Sequence, residues 1–118
     1  MPKPERAAPS LTVDIERYAD DMAVVRCHGK LVAGTANFLY TRVDELMPEI
    51  QRVVLDLSDL QHTDSMGLGT LVRLFVTARA AGCTLELLNL SQQIRHLLGI
   101  TNVLGVLPVV TEESLNFG

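Results

Sequence analysis

The sequence predicts a single α/β domain in which a β-hairpin is followed by alternating strands and helices. Residues 11–16 alternate apolar and polar side chains, as a strand with one solvent-exposed face does. Residues 22–28 form a second apolar run ended by Gly29, and the polar stretch between the two runs suits a tight turn. From there to the C-terminus, short apolar runs alternate with helical patterns, which is typical of β-α units.

The central β-α units are predicted from hydrophobic spacing. Apolar residues recur at helical spacing over 38–47 and stop at Pro48, which predicts a first helix. Residues 53–57 are apolar except for Asp56, as expected of a strand covered on both faces. A long amphipathic stretch then begins at 64–65 and ends at Gly82, so we expect a second helix there.

The C-terminal third predicts further units of the same kind. Residues 84–88 form a strand pattern, Ser91 caps a helical pattern that ends before Gly99, and 106–110 give a last strand. A final helix is expected over 111–115. Right-handed crossovers make the later strands parallel, so the prediction is a mixed sheet covered by about four helices. We expect residues 1–10 to form a flexible, proline-interrupted tail and residues 11–118 to form the domain.

Composition excludes several classes of function. The 118 residues carry a formal charge of -4 without a Lys/Arg cluster, which argues against binding nucleic acid or anionic lipid. No apolar run approaches the length of a membrane span, and no signal sequence is apparent, so we expect a cytoplasmic protein. Cys27 and Cys83 lie near apolar strand patterns and are interpreted as buried thiols. His28, His62 and His96 lack ligand spacing, so neither a metal nor another cofactor is expected.

The most informative segment is 63–69, Thr-Asp-Ser-Met-Gly-Leu-Gly, which joins the predicted strand 53–57 to the second helix. A hydroxyl, Ser65, therefore lies where a helix begins, and the positive dipole end there tolerates a phosphate. Gly67 and Gly69 each lower helix stability by about 1 kcal/mol relative to alanine. Their presence suggests that a partner, a neighbouring strand or a phosphate approaches the backbone closely.

Local chemistry leaves three interpretations of this segment open. In the first, Ser65 is phosphorylated or bound by another protein, since a phosphate adds a charge of about -1.5 to -2 that Asp64 would repel. In the second, Asp64 and Ser65 are only helix caps. In the third, Gly67 and Gly69 only allow close packing of the helix on a strand.

Enzyme and receiver functions fit less well. A dinucleotide-binding fingerprint would need glycine or alanine at Val72, and a hydrolase nucleophile elbow would need glycine at Thr63. A phosphoaspartate receiver at Asp56 would need an acidic pair beside it, whereas Asp20 and Asp21 lie in the predicted hairpin. We therefore expect that the protein is not an enzyme.

A resemblance to a known family rests on residues 54–60 followed by 64–69. The strand Val-Leu-Asp-Leu-Ser-Asp-Leu and the run Asp-Ser-Met-Gly-Leu-Gly resemble the strand and Asp-Ser-x-Gly-Leu-Gly motif of STAS domains, specifically of bacterial anti-sigma factor antagonists. Gly82 and the runs 85–88 and 94–100 also match in place. The resemblance extends from about Leu11 to the C-terminus and implies a STAS-like mixed sheet.

The resemblance also implies a function. Ser65 corresponds to the serine that is phosphorylated by a partner anti-sigma factor, an ATP-dependent serine/threonine kinase. The unphosphorylated antagonist binds that partner, frees the sigma factor and so regulates transcription; phosphorylation releases the antagonist, and a phosphoserine phosphatase resets it. The residues expected to contact the partner adjoin Ser65 or lie across the presumed site: His62, Thr63, Asp64, Met66, Gly67, Leu68, Gly69, Lys30 and Val32.

One position departs from the family pattern. Many antagonists carry Gly-x-Leu-Asp after the second strand, whereas residues 29–32 here are Gly-Lys-Leu-Val. In the family that carboxylate lies near the phosphoserine and the partner. With Val32, either the kinase is divergent or the switch has been lost while binding remains.

A second functional class is a STAS module for assembly or ligand sensing, as in stressosome scaffolds or lipid-transport accessory subunits. Such a module would not need Ser65, and the Gly-Leu-Gly run favours the antagonist. A nucleotide-binding domain is a third and weaker alternative. The sequence does not determine whether the chain forms a homodimer.

Overall fold

A six-stranded mixed β-sheet is the centre of the fold. The computed structural model describes residues 5–8, 10–19, 21–47, 49–100, 105 and 107–111. The strands are β1 (Glu5–Ala8), β2 (Leu11–Tyr18), β3 (Met22–Leu31), β4 (Arg52–Thr63), β5 (Thr84–Leu88) and β6 (Val109–Val110). The helices are α1 (Ala36–Leu46), α2 (Ser65–Ala80) and α3 (Gln92–Ile100). The predicted α/β class and mixed sheet are confirmed.

The strands lie in sequence order across the sheet, from β1 to β6. β1 is antiparallel to β2, and β2 is antiparallel to β3, as the hairpin pattern predicts. β3, β4, β5 and β6 are parallel, and one helix connects each consecutive pair. Right-handed crossovers in one direction put the connecting helices on the same face. The carboxyl ends of β3 and β4 therefore meet the start of α2 at one edge, where α/β sheets commonly carry their sites.

Two hydrophobic clusters lie on the two faces of the sheet. The main cluster joins one face of the strands to buried residues of all three helices, such as Val43 in α1, Leu71 in α2 and Ile94 in α3. A smaller cluster on the other face includes Val24 and Val54, both fully buried. β4 thus contributes to a core on both faces, as its apolar run predicts.

Both cysteines are free and buried, as predicted. Burial raises the pKa of the Cys27 thiol to about 12 and also raises the pKa of Cys83. A thiol with a raised pKa carries little thiolate at neutral pH and is a poor nucleophile.

Three elements differ from the sequence-based expectation, and a fourth is not tested. Residues Glu5–Ala8, expected in a flexible tail, form edge strand β1 and pair with β2. β4 runs six residues beyond the predicted end at 57. β6 covers only Val109–Val110 of the predicted strand 106–110. The predicted helix over 111–115 lies outside the described residues apart from Thr111.

The extended part of β4 contains irregular pairing with β3. The register shifts between Arg26 and His28 and again between Gly29 and Lys30. Such bulges turn side chains away from simple alternation and are common beside functional sites. They explain why the apolar pattern of β4 breaks at exposed Ser58 and Asp59 although the strand continues to Thr63.

Candidate functional site

The candidate site lies where β4 ends and α2 begins, beside the end of β3. Thr63 is opposite Leu31 in the parallel register, and its Oγ1 donates a hydrogen bond to the Leu31 carbonyl at 2.7 Å. The backbone N–H of Asp64 points to the same carbonyl, at 3.4 Å. The two residues that precede Ser65, the predicted switch residue, are therefore both hydrogen-bonded to the end of β3.

Asp64 is the N-cap of α2. Its Oδ1 accepts a hydrogen bond from the Gly67 N–H at 3.0 Å, and its Oδ2 accepts one from the Ala33 N–H at 3.1 Å. One carboxylate thus links the helix start to the β3–α1 loop, which lies 31 residues earlier in the chain. The bond from Gly67 lowers the pKa of the Asp64 carboxyl, and the bond from Ala33 acts in the same direction.

Gly67 is buried where the helix contacts β3 and β4. A Cβ at this position would lie 2.1 Å from the Leu31 carbonyl oxygen and 2.1 Å from Thr63 Oγ1. Such distances are far inside van der Waals contact, so only glycine fits without a shift of the backbone. Gly67 therefore serves the close helix-to-strand packing that the third interpretation proposes.

Gly69 has a different environment. It is exposed, and a Cβ there would have no described neighbour within 4 Å. Packing within the described chain does not explain the absence of a side chain at this position. The two glycines of the motif therefore have separate roles, one of which the fold leaves unexplained.

Ser65 is the first residue of α2 and is exposed. Because Asp64 caps the helix, the Ser65 hydroxyl is not needed for capping, and no group in the described part of the chain hydrogen-bonds it. Solvent-exposed residues continue from Ser65 along the helix at spacings of three and four. We call this surface the α2 outer face, and it consists of Ser65, Met66, Gly69, Arg73 and Val76.

The α2 outer face is apolar at both ends and is bordered by α1. Met66 and Val76 are 58% and 59% exposed, respectively. Between them, the Arg73 guanidinium lies 4.0 Å from the centroid of the Tyr40 ring. The Tyr40 hydroxyl hydrogen-bonds Thr77 Oγ1 at 2.8 Å. These contacts hold α1 against α2 and fix one side of the surface.

Some of the other residues expected at the partner surface are buried or half-buried, and others are exposed but lie outside the α2 outer face. Thr63 and Leu68 are buried, and Val32 is half-buried in the turn that leads into α1, where its N–H donates to Thr35 Oγ1. His62 is exposed and lines an apolar groove of about 280 Å³ between the end of β4 and α3. Lys30 is exposed and lines a separate pocket that contains no residue of the α2 outer face.

Sequence reasoning missed the role of Ala33. Only the fold brings its N–H to the Asp64 carboxylate, and an alanine in a loop gives no signal of such a contact. Thr35 is the N-cap residue of α1, but its side chain makes no cap bond to that helix. Its Oγ1 instead donates to the Lys30 carbonyl at 2.8 Å and so stabilises the turn between β3 and α1.

Asp56, the residue weighed for a receiver function, lies within β4. Its Oδ1 accepts a hydrogen bond from the Ser58 N–H at 3.0 Å, and its Oδ2 lies 3.7 Å from Arg26 Nε. Over the described ranges, no three His, Cys, Asp or Glu side chains are grouped to hold a metal ion.

In the same ranges, no helix has both the length and the apolarity to cross a membrane.

The fold and this strand-to-helix junction define the class of the protein. The family model of the STAS domain matches residues 13–115. The chain therefore belongs to the STAS domain family, which confirms the resemblance seen in the sequence. Anti-sigma factor antagonists are among the proteins to which it is similar. The Anti-sigma F factor antagonist of Paenibacillus polymyxa is 23% identical over 106 residues, which span 88% of this chain and 90% of the relative.

Solved structures show the same fold. An anti-sigma factor antagonist from Mycobacterium paratuberculosis superposes with a TM-score of 0.75 at 22% identity, covering 88% of this chain and 89% of that chain. The anti-sigma factor antagonist SpoIIAA in its unphosphorylated form gives a TM-score of 0.71 at 18% identity, with coverages of 86% and 90%. At these identities the similarity establishes the fold, and the roles of individual residues need their own argument.

Proposed function

We propose that this protein is an anti-sigma factor antagonist that binds an anti-sigma factor kinase through the α2 outer face and is released when Ser65 is phosphorylated. A phosphoserine phosphatase then restores binding. The proposal combines family membership with the chemistry of one residue. It makes the protein a kinase substrate and a cytoplasmic binding partner rather than a catalyst.

The observation that carries the proposal is the state of the Ser65 hydroxyl. It is exposed, it begins a helix, and Asp64 performs the capping that would otherwise account for a serine there. A kinase can therefore reach the hydroxyl without unfolding the helix. The N-terminal end of the helix dipole tolerates the added phosphate.

The surroundings of Ser65 explain why a phosphate would end binding. Met66 and Gly69 offer a partner an apolar side chain and an open backbone, and both lie within one turn of Ser65. A dianion at this place would have to be desolvated against an apolar contact, which is costly. Asp64 adds a like charge one residue away, and its carboxylate is held in place by two backbone donors.

The side chain of Val32 affects which kinase the protein can bind. Its neighbour Ala33 is hydrogen-bonded to Asp64, so the β3–α1 loop lies next to the switch. A valine gives this loop no negative charge at the position where related antagonists carry aspartate. We propose that the cognate kinase contacts this loop through an apolar rather than a basic side chain.

The test is phosphorylation by the cognate kinase with ATP, followed by intact-mass measurement. Wild type is expected to gain one phosphate, and Ser65→Ala is expected to gain none. Ser58→Ala is the matched control, because Ser58 is another exposed serine, on β4, and it should be modified like wild type. Equal modification of Ser65→Ala and wild type would exclude Ser65 as the site.

A further inference from the structure

A second concave site lies at the carboxyl ends of β3 and β4, apart from the α2 outer face. It is an open pocket of about 510 Å³ lined by Ser10, Thr12, His28, Gly29, Lys30 and Gln61. We call it the β3–β4 pocket. Its volume is within the range of about 300–1,000 Å³ that is usual for small-ligand sites.

The irregular pairing of β3 with β4 forms this pocket. The second register shift leaves Gln61 without a partner in the ladder, between Leu60 and His62. Beside it, Gly29 has a φ of 106°, and a Cβ there would lie 2.1 Å from the Ser10 carbonyl oxygen. The Lys30 N–H donates to that same carbonyl at 2.7 Å. The backbone of Ser10 is therefore fixed as one wall of the pocket.

The side chains that line the pocket are rich in hydrogen-bond donors and contain no carboxylate. Lys30 has no acidic partner among the described residues, although the chain as a whole is acidic. His28 Nδ1 lies 2.8 Å from Asp59 Oδ2, which orients the imidazole and leaves Nε2 unpaired within the described residues. Hydroxyls of Ser10 and Thr12 and the Gln61 amide complete the set.

We infer that the β3–β4 pocket binds a small oxyanion, a carboxylate or phosphate group on a polar metabolite, with Lys30 as its counter-ion and Gln61 as a hydrogen-bond donor. An unpaired ammonium group among neutral donors is complementary to such a group. The open, polar lining does not suit an apolar ligand. This inference goes beyond the serine switch and does not depend on it, because none of the lining residues belongs to the α2 outer face.

The test is a titration of the ¹⁵N-labelled full chain with inorganic phosphate and, separately, with succinate, at constant ionic strength maintained with chloride. The amide signals of Gly29, Lys30 and Gln61 are expected to shift in a saturable manner with at least one probe, with a Kd of about 1 mM or tighter. The probe that saturates at the lower concentration shows whether the pocket prefers a phosphate or a carboxylate group.

Two variants of the same chemical type localise the binding. Gln61→Glu places a negative charge in the pocket and is expected to weaken binding at least about tenfold. Gln92→Glu makes the same change of charge at an exposed position of α3 outside the pocket and should leave the Kd unchanged. Lys30→Gln removes the counter-ion and should resemble Gln61→Glu. All three residues are exposed, so melting temperatures should stay close to wild type.

The outcomes separate the inference from its competitors. Saturable shifts that Gln61→Glu and Lys30→Gln abolish support a small-anion site. Shifts that rise linearly with both probes, or that persist in both pocket variants, overturn it. If neither probe saturates while Gln61→Glu weakens binding to the kinase, the pocket receives a protein side chain and the small-ligand inference is wrong.

Discussion

Asp64 is the residue on which the geometry around Ser65 depends, because its two carboxylate oxygens bind backbone groups from two different segments. One oxygen caps α2 through Gly67, and the other holds the β3–α1 loop through Ala33. A residue that only capped the helix would need one of these contacts. Asp64 therefore also sets the position of the loop that adjoins Ser65.

The lowered pKa of Asp64 predicts how stability depends on pH. Because the folded protein favours the carboxylate, this group stabilises the fold above the pKa that it has when unfolded, about 3.9. That contribution is lost as the pH falls through the still lower folded pKa. We expect Asp64→Asn to be less stable than wild type at pH 6 and closer to it near pH 3, by urea unfolding.

A matched control distinguishes this effect from general acid destabilisation. Asp44→Asn removes an exposed carboxylate from α1, away from the loop and from the start of α2. The stability difference between this variant and wild type at the two pH values measures the effect of removing an exposed carboxylate that caps no helix. A stability difference for Asp64→Asn that does not shrink on acidification would contradict the capping role.

At the scale of single residues, the sequence predicts the helix start at Asp64 and Ser65 but not the contacts that Asp64 makes. Ser65, Asp64 and the glycines are recognisable because capping residues and glycines are unusual in this combination at a helix start. The contact from Ala33 to Asp64 cannot be predicted locally, since it joins positions 31 residues apart. Likewise, only the fold shows that Gly67 is buried and Gly69 open.

Helix α2 contains two glycines with opposite relations to the rest of the molecule, and this makes a paired substitution informative. Gly67→Ala is expected to lower the free energy of unfolding by about 1–3 kcal/mol or more, because its methyl group would overlap backbone and Thr63 atoms. Gly69→Ala should instead raise it by up to about 1 kcal/mol, through helix propensity. Urea unfolding of both variants measures the two effects.

Gly69→Ala also tests whether a partner binds at the α2 outer face. If Gly69 is kept open for a partner, Gly69→Ala will weaken kinase binding while the free protein becomes more stable. Titration calorimetry with the unphosphorylated protein measures the affinity. Unchanged affinity in this variant would show that the partner does not approach the backbone at Gly69.

Among the strands, β4 shows why element boundaries are hard to predict. Its apolar run suggests an end at 57, but bulges allow the strand to continue through exposed Ser58 and Asp59. β1 was missed for another reason. Its sequence, Glu-Arg-Ala-Ala, has no β-branched or aromatic residue, and it exists as a strand because β2 offers an edge with which to pair.

For the whole molecule, phosphorylation is expected to change recognition without changing the fold. The chain has a formal charge of -4, and a phosphate adds about -1.5 to -2 at one exposed point. We expect Ser65→Asp to weaken kinase binding at least about tenfold, or about 1.4 kcal/mol. Its melting temperature should remain near that of wild type, as circular dichroism would record.

Ser58→Asp is the control for net charge, because it adds the same charge at an exposed serine of β4. It should bind the kinase like wild type. Equal weakening by the two variants would indicate a general electrostatic effect and contradict a local role for Ser65. Unchanged affinity in Ser65→Asp would leave Ser65 outside the binding surface.

The two hydrogen bonds of the Asp64 carboxylate have a consequence for the lifetime of a phosphorylation signal. The helix start, the β3–α1 loop and the end of β3 are joined by hydrogen bonds and by the close approach at Gly67, so this region has little freedom to adopt a second conformation. If Ser65 is the switch, its two states then differ in the covalent phosphate and not in the conformation of the chain. The lifetime of the phosphorylated state would depend on the rates of the kinase and the phosphatase, and not on a conformational change of the chain.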